Sequence, residues 1–288
     1  MRFLVSRGHW AVIDTRGAYR LGALAGVHDA ALSGIRLPHR PTCNPREVGA
    51  QAFESVSSWN QPTPPPVSEI RTRLIQDLAR RLVTIRPNRL RAVVDGYTAS
   101  GKTSLAHELA NAVRPLGRPT LRATFDDFKK PWREAREQGY DRVTGEGYYR
   151  NAPDFKSARD LLLQPSGPEG SGVVVLCAYD PLTGEDHRRT TVEAPSDAVL
   201  VVDTVFGMRP EYDDFWDFRI WLEVLPELAL TRGIERDTAL EGAAEAEQLH
   251  RDRYHPAEQI YISEVDPKAK ADVIIDNTDY AEPVVVRW

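Results

Sequence analysis

From residue 67 onward the apolar positions follow two patterns. Six short runs are almost continuously apolar and bounded by turn residues: Arg91 to Val94, Leu121 to Phe125, Val173 to Ala178, Ala198 to Val202, Phe218 to Val224 and Ala271 to Ile275. Runs without period-two alternation are what a strand buried on both faces requires. Between them lie stretches of helical composition at about 102–114, 155–163, 225–237 and 244–253. Strands alternating with helices predict an α/β fold, a mostly parallel sheet covered on both faces. Ahead of the first strand, Ile70, Leu74, Leu78 and Leu82 recur every four positions. That spacing predicts an amphipathic helix, with Ser68 as its cap and Pro87 as its stop.

The pattern breaks at Pro62-Thr63-Pro64-Pro65-Pro66, a run that fits neither a helix nor a central strand. The expected organisation is an N-terminal extension over 1–61, a Pro-rich linker over 62–66 and a main domain over 67–288. The extension has short apolar pieces such as Trp10-Ala11-Val12-Ile13 but no sustained period. A small subdomain, an arm and sequence ahead of the true start all remain open for it.

Composition narrows the partners. An apolar fraction of 41% with 27% charged residues is that of a soluble globular chain. A net charge of −5 gives no global basic field, so nucleic acid and anionic membrane are not expected partners. Self-association is left open. Of the two cysteines, Cys43 and Cys177, the second sits in an apolar run and reads as a buried thiol, so no disulfide framework is indicated. Met1 to Gly26 is interrupted by Arg7, His9, Asp14, Arg16 and Arg20. No signal peptide or membrane span is expected, and the cytoplasm is the default location.

The chemistry enters at Gly96-Tyr97-Thr98-Ala99-Ser100-Gly101-Lys102-Thr103, which satisfies G-x-x-x-x-G-K-[ST] at every specified position. An apolar strand precedes this segment and a helix-forming run opening with Ser104 follows it, the context a phosphate loop needs. Glycines let the backbone close around a phosphate, and the helix start adds its positive end. Gly96, Thr98, Ala99, Ser100, Gly101, Lys102, Thr103 and Ser104 are therefore the expected nucleotide contacts. Lys102 would reach the β- and γ-phosphates of ATP or GTP, and the Thr103 hydroxyl would ligate Mg²⁺. Asp203 closes the apolar run Ala198 to Val202 and is the candidate second metal residue.

Three kinds of phosphate-loop protein compete. A GTPase needs an N-K-x-D segment, and none is present. A motor or transporter ATPase usually carries Glu after the metal-site Asp, where Thr204 stands. A small-molecule kinase needs a carboxylate to take the acceptor's hydroxyl proton and cations to neutralise the moving phosphoryl group. Asp126 and Asp127 follow the second strand, and Arg232 and Arg236 lie four apart on one predicted helix face. Of the two carboxylates, Asp127 reads more simply as a helix cap. The paired Tyr148 and Tyr149 suit either stacking on a base or sugar, or anchoring a loop.

These segments, in their order, resemble the uridine kinase family of P-loop kinases, whose relatives include phosphoribulokinase and bacterial pantothenate kinase. The resemblance runs from Arg91 to Asn277. It is carried by the P-loop, Phe125-Asp126-Asp127-Phe128, Gly147-Tyr148-Tyr149, Tyr179-Asp180, Val202-Asp203, Arg232 to Asp237 and Ala271-Asp272-Val273-Ile274-Ile275. It implies a three-layer α/β P-loop NTPase/kinase fold with a mobile lid near 237–256, and a small-molecule acceptor of nucleoside type. It also implies Asp126 as general base, Asp154 on a ribose, Tyr179 lining the acceptor pocket, Asp203 at the metal, and Arg232 and Arg236 approaching the phosphates. The chain departs from the family's pattern at Thr204, where the family has Gly, and at Lys129, where an aromatic normally packs. It also lacks a clear counterpart of the pyrimidine-reading His, with Gly184 near that place and His187 three residues on. A kinase for a different hydroxyl metabolite and a non-catalytic nucleotide-binding regulator are the alternatives.

Overall fold

The computed structural model describes residues 50–59 and 67–288, together with the backbone of three strands nearer the start. Those strands, β1 (Leu4–Ser6), β2 (His9–Asp14) and β3 (Ala18–Gly22), form an antiparallel meander. They belong to a separate unit, Met1–Gly49, and the rest of the chain, Ala50–Trp288, forms a second. The Pro-rich run 62–66 and Cys43 lie outside the described residues. The division between units falls upstream of that run, because residues 50–59 pack with the larger unit.

That unit opens with β4 (Ala52–Phe53), α1 (Glu69–Ile85), β5 (Leu90–Gly96), α2 (Lys102–Val113) and β6 (Thr120–Thr124). Next come α3 (Trp132–Gln138), α4 (Gly145–Asn151) and α5 (Phe155–Ser157), the last continuing as a π-helical turn to Leu163. The small strands β7 (Val173–Val174) and β8 (Val192–Glu193) precede β9 (Val199–Asp203), α6 (Pro210–Asp213) and β10 (Phe218–Glu223). Helix α7 (Pro226–Glu241) and α8 (Ala243–Gln248) lead through a π-helical turn to α9 (His255–Val265). The chain closes with α10 (Pro267–Lys270), β11 (Val273–Asp276) and β12 (Val284–Arg287).

Seven strands form the main sheet in the order β12-β11-β10-β5-β9-β6-β4. Every neighbouring pair is parallel except β11–β12. Side chains alternate across this sheet and both faces are buried, which is why its strands read as continuous apolar runs. Ala92, Val94, Val199, Val201, Ile220 and Leu222 meet Leu74, Leu78 and Leu82 of α1 and Leu105 and Leu109 of α2 on one face. Val93, Leu121, Ala123, Leu200, Val202 and Trp221 face Tyr149, Leu162, Tyr212 and Tyr261 on the other. Three layers result. Among the described residues no helix is long and apolar enough to cross a membrane.

Helices α3, α4, α6, α9 and α10 and strand β8 lie outside the expected set, and three further differences have a clear physical reason. Of the run Val173 to Ala178 only Val173–Val174 is strand, and it pairs with β8 outside the main sheet. Beyond it the backbone bonds elsewhere: the Val175 N–H donates to Leu161 O at 2.8 Å, and those of Ala178 and Tyr179 to Asp127 O at 3.0 and 2.9 Å. These residues are buried without a ladder, so burial alone gave them a strand's composition. Ile70 is 48% exposed and is not on the core stripe of α1, whose buried positions are Arg71, Leu74, Ile75, Leu78, Ala79 and Leu82. A four-residue repeat advances roughly 40° per step on a helix of 3.6 residues per turn, so the first member of the stripe rotates off the core. Finally, the edge strands β4 and β12 are additional to the expected set. They are short or largely exposed, with Val284 and Val286 at 61% and 63% exposure, so they carry no buried-strand signature.

The α1 assignment can be tested directly. Leu78→Ala should lower unfolding stability by about 2–5 kcal/mol, the range for a fully buried leucine. Ile70→Ala should stay within about 0.5 kcal/mol. Urea midpoints of the two variants, compared with the parent, check the register.

Candidate nucleotide and acceptor site

Strand β5 ends in the phosphate loop at the C-terminal edge of the sheet, with β9 and β10 on either side. The next strand in sequence, β6, lies beyond β9, so the sheet switches direction at β5, where open α/β sheets form their ligand crevice. Gly96 has φ +153° and Gly101 has φ +97°. A Cβ on Gly96 would stand 2.5 Å from Leu222 O, and one on Gly101 2.8 Å from the Asn277 amide nitrogen. Both positions therefore need glycine on grounds of space as well as torsion. Ala99 adopts φ 60°, a left-handed conformation inside the loop. Helix α2 starts at Lys102 directly after Gly101, so its N-terminal N–H groups lie in the loop.

The loop is braced from beneath. Asp95 is fully buried, and its carboxylate accepts from Gly96 N at 2.8 Å, Gly207 N at 2.9 Å and Tyr261 Oη at 2.5 Å. Burial pushes this carboxyl up to about 6, with the Tyr261, Gly96 and Lys102 contacts holding it down. Asn277 supports the other side, its amide donating to Ser100 O at 2.8 Å while its oxygen accepts from buried Arg71 at 2.9 Å. Glu258 of α9 accepts from Thr98 N at 2.5 Å. Lys102 is buried, and its Nζ donates to Tyr97 O at 2.5 Å.

Asp203, the last residue of β9, accepts from the Thr103 hydroxyl at 2.7 Å through Oδ2. Its Oδ1 pairs with Arg122 of β6 at 2.7 Å, and both side chains are 5% exposed. A hydroxyl and a carboxylate oxygen side by side at a phosphate loop are hard donors that suit Mg²⁺. Arg122 holds the carboxylate in place from behind.

Asp126 and Asp127 lie in a short 3-10 turn, Phe125–Phe128, immediately after β6. Their surroundings set them apart. Asp126 is 43% exposed, and Lys129 Nζ meets its Oδ1 at 2.6 Å. Partial desolvation pushes its carboxyl up, the Lys129 ammonium more than offsets this, and Lys102 and Arg236 add to the lowering. Asp127 is fully buried and accepts from Ser57 Oγ at 2.6 Å and Ser55 Oγ at 2.9 Å. It is no helix cap: the N-cap of this turn is Thr124. Ser58 is bound to Asp180 in the same way, through N at 2.6 Å and Oγ at 2.8 Å. Residues 55–58 thus form a strap fastened to two carboxylates beside the site.

The remaining candidates are engaged by other partners. Arg232 of α7 donates to Thr278 O at 2.7 Å, on the segment after β11. Arg236 pairs with Asp237 at 2.7 Å, and the buried His250 meets the same carboxylate at 2.7 Å. Asp154 is the N-cap of α5, with one oxygen on Ser157 N at 3.0 Å and the other on Ser157 Oγ at 2.6 Å. Tyr149 is 1% exposed, in the core against Phe206, with the Arg209 guanidinium 4.1 Å from its ring centroid. Tyr179 is 8% exposed and lies under Arg188, 4.9 Å from its ring centroid. The expected lid stretch 237–256 is helical, made by the end of α7, α8 and the start of α9.

Sequence reasoning missed Asp95, Arg122, Glu258, Asn277 and the serine strap. Asp95 left a trace, a carboxylate inside an apolar strand next to a phosphate loop. The others are polar residues whose partners lie tens of positions away, and nothing local marks them.

No family model matches the chain, and no curated protein matches it. Solved structures do. That of a possible uridine kinase from Bacillus stearothermophilus is 24% identical, with a TM-score of 0.51 over 70% of this chain and 97% of that one. That of a putative fructose transport system kinase from Silicibacter sp. TM1040 is 21% identical, with a TM-score of 0.55 over 67% of this chain and 94% of that one. The fold is the three-layer α/β P-loop kinase fold.

Asp127 makes the site's stability depend on pH. Burial raises its carboxyl from 3.8 to about 7, and Ser57 and Ser55 offset only part of this. Its contribution is fully present below the unfolded value and is lost as pH rises through the folded one. Between pH 5 and 8 the parent should lose on the order of 2 kcal/mol more stability than Asp127→Asn, which has no charge to acquire at this position. Denaturant titrations of both proteins at the two pH values check this.

Proposed function

We propose that this protein is a phosphotransferase that moves the γ-phosphoryl group of ATP or GTP onto a hydroxyl of a small molecule. The observation that supports it best is one juxtaposition at the sheet edge. A complete phosphate loop, the Thr103–Asp203 pair and the part-exposed Asp126 stand together, with Asp126 in electrostatic reach of Lys102.

Each residue then has a task. The loop from Gly96 to Thr103 wraps the phosphates, and the positive end of α2 favours their charge. Lys102, whose ammonium donates to Tyr97 O, turns to the β- and γ-phosphates. Thr103 and Asp203 would hold Mg²⁺, which when bound offsets the charge on the transferring group. Asp126 accepts the hydroxyl proton as the acceptor oxygen bonds to phosphorus and the β–γ bridge breaks. Arg236, within reach of Asp126, adds positive charge on that side. A nucleoside acceptor is what the resemblance to uridine kinases implies. The Lys129–Asp126 pair and the occupied oxygens of Asp154 favour the second reading, a kinase for another hydroxyl metabolite on the same scaffold.

Two variants test the chemistry through ADP release from ATP–Mg²⁺, against nucleosides, pantothenate, glycerate and sugar phosphates. Asp126→Asn should lower kcat by about 10²–10⁴, the usual range for general-base catalysis. Lys102→Ala should abolish acceptor-stimulated turnover. Full turnover by Asp126→Asn would remove the base assignment. Tight ATP binding with no stimulation by any acceptor would instead favour a nucleotide-binding regulator.

A further inference from the structure

Lys129 has no place in the phosphate chemistry above, yet it is the group closest to the base. It leaves the 3-10 turn just after Phe128 and is 26% exposed, reachable by a small ligand. Two contacts fix its ammonium: Asp126 Oδ1 at 2.6 Å and the face of Tyr148, 5.0 Å from the ring centroid. An ammonium has three donors, so Asp126 leaves capacity for another oxygen. Burial opposes the charge and Asp126 more than restores it, so the group stays protonated.

The other carboxylates of this sheet edge are committed. Asp203 is taken by Arg122 and Thr103, and Asp127 by Ser55 and Ser57. Asp180 is taken by Ser58, Leu182 and Thr183. Asp154 adjoins Lys129 through the bridge between Lys129 and Pro153, and both its oxygens are on Ser157. A neutral sugar diol therefore meets no free carboxylate at Asp154. It meets a cation instead, paired to the very group that must take its proton. A base locked in an ion pair is a weak one. An acceptor carrying its own negative charge relieves that lock, because its anion draws on the ammonium while its hydroxyl reaches Asp126.

We propose that Lys129 recognises an anionic group on the acceptor, so that the substrate class is a small hydroxylated carboxylate or phosphate monoester. This rests on the kinase reading and narrows it. The reaction remains hydroxyl plus nucleoside triphosphate to phosphate ester plus nucleoside diphosphate, with the released proton on Asp126.

The test pairs acceptors that differ in charge: glycerate and glycerol 3-phosphate against glycerol, and pantothenate against panthenol. ADP release is read on the full chain. Thermal shifts with each acceptor are read in parallel, in the presence of a non-hydrolysable ATP analogue. At least one anion should be turned over well ahead of its neutral match. The glycerate and glycerol 3-phosphate arms tell carboxylate from phosphate. Lys129→Met should reduce the preference for the anion over its neutral match by roughly 10- to 100-fold, the worth of one charge-assisted hydrogen bond, chiefly through KM. Lys129→Arg should restore part of it. Lys129-dependent binding of an anion without ADP release would keep the ligand class and remove the kinase reading. Three results would overturn the ligand class. One is turnover of neutral nucleosides at rates matching the best anion. Another is equal loss on anion and neutral match in Lys129→Met. The last is no thermal shift with any anion in the panel.

Discussion

A single buried carboxylate ties the phosphate-loop end of the sheet together. Asp95 is the penultimate residue of β5 and gathers donors from the loop itself, from Gly207 beyond β9 and from Tyr261 on α9. Removing a charge from water costs several kcal/mol unless donors replace the water. Here they come from three separate parts of the chain, so the phosphate loop is braced by the segment after β9 and by α9. Loop geometry is thereby coupled to the second layer of the fold, while the tight approach of Gly96 to Leu222 O comes from the pairing of β5 with β10.

Around that anchor the sheet edge is crowded with carboxylates, and their partners decide their roles. Asp203 has Arg122, a cation behind it, and presents its other oxygen to Thr103. Asp127 has only hydroxyl donors and burial, so its charge is disfavoured and its use is structural. Asp126, one residue earlier, emerges beside Lys129 and stays ionised. Two adjacent aspartates in one short turn thus differ in chemistry because one faces the core and the other faces the crevice. The serine strap depends on this difference, since Ser55 and Ser57 need the inward-facing carboxylate as acceptor.

Much of the fold was legible in the chain. The strands β5, β6, β9 and β10 bury both faces and β11 buries one fully and the other in part, and that demand leaves a local signature of consecutive apolar residues. The helix α1 was visible through Leu74, Leu78 and Leu82, and the phosphate loop through its spacing. Misreadings arose where burial came without a ladder, as in Val175 to Ala178, or where a strand sits at an edge with little to bury, as in β4 and β12.

The sequence by itself determined the layer architecture, the position of the phosphate loop and the place of Asp203 at the end of a buried strand. These follow from periodicity and spacing, which act over a few residues. Only the tertiary structure decided that Asp126 is the exposed aspartate and Asp127 the buried one, that Arg122 backs Asp203, and that Asp154 is occupied as a cap. It also brought Lys129 onto the base and residues 55–58 against Asp127 and Asp180. Those outcomes depend on which polar group fills the space next to another once the layers close. Charge and hydrogen-bond partners act across space without regard to separation along the chain, and so leave no local mark for a reader of the sequence.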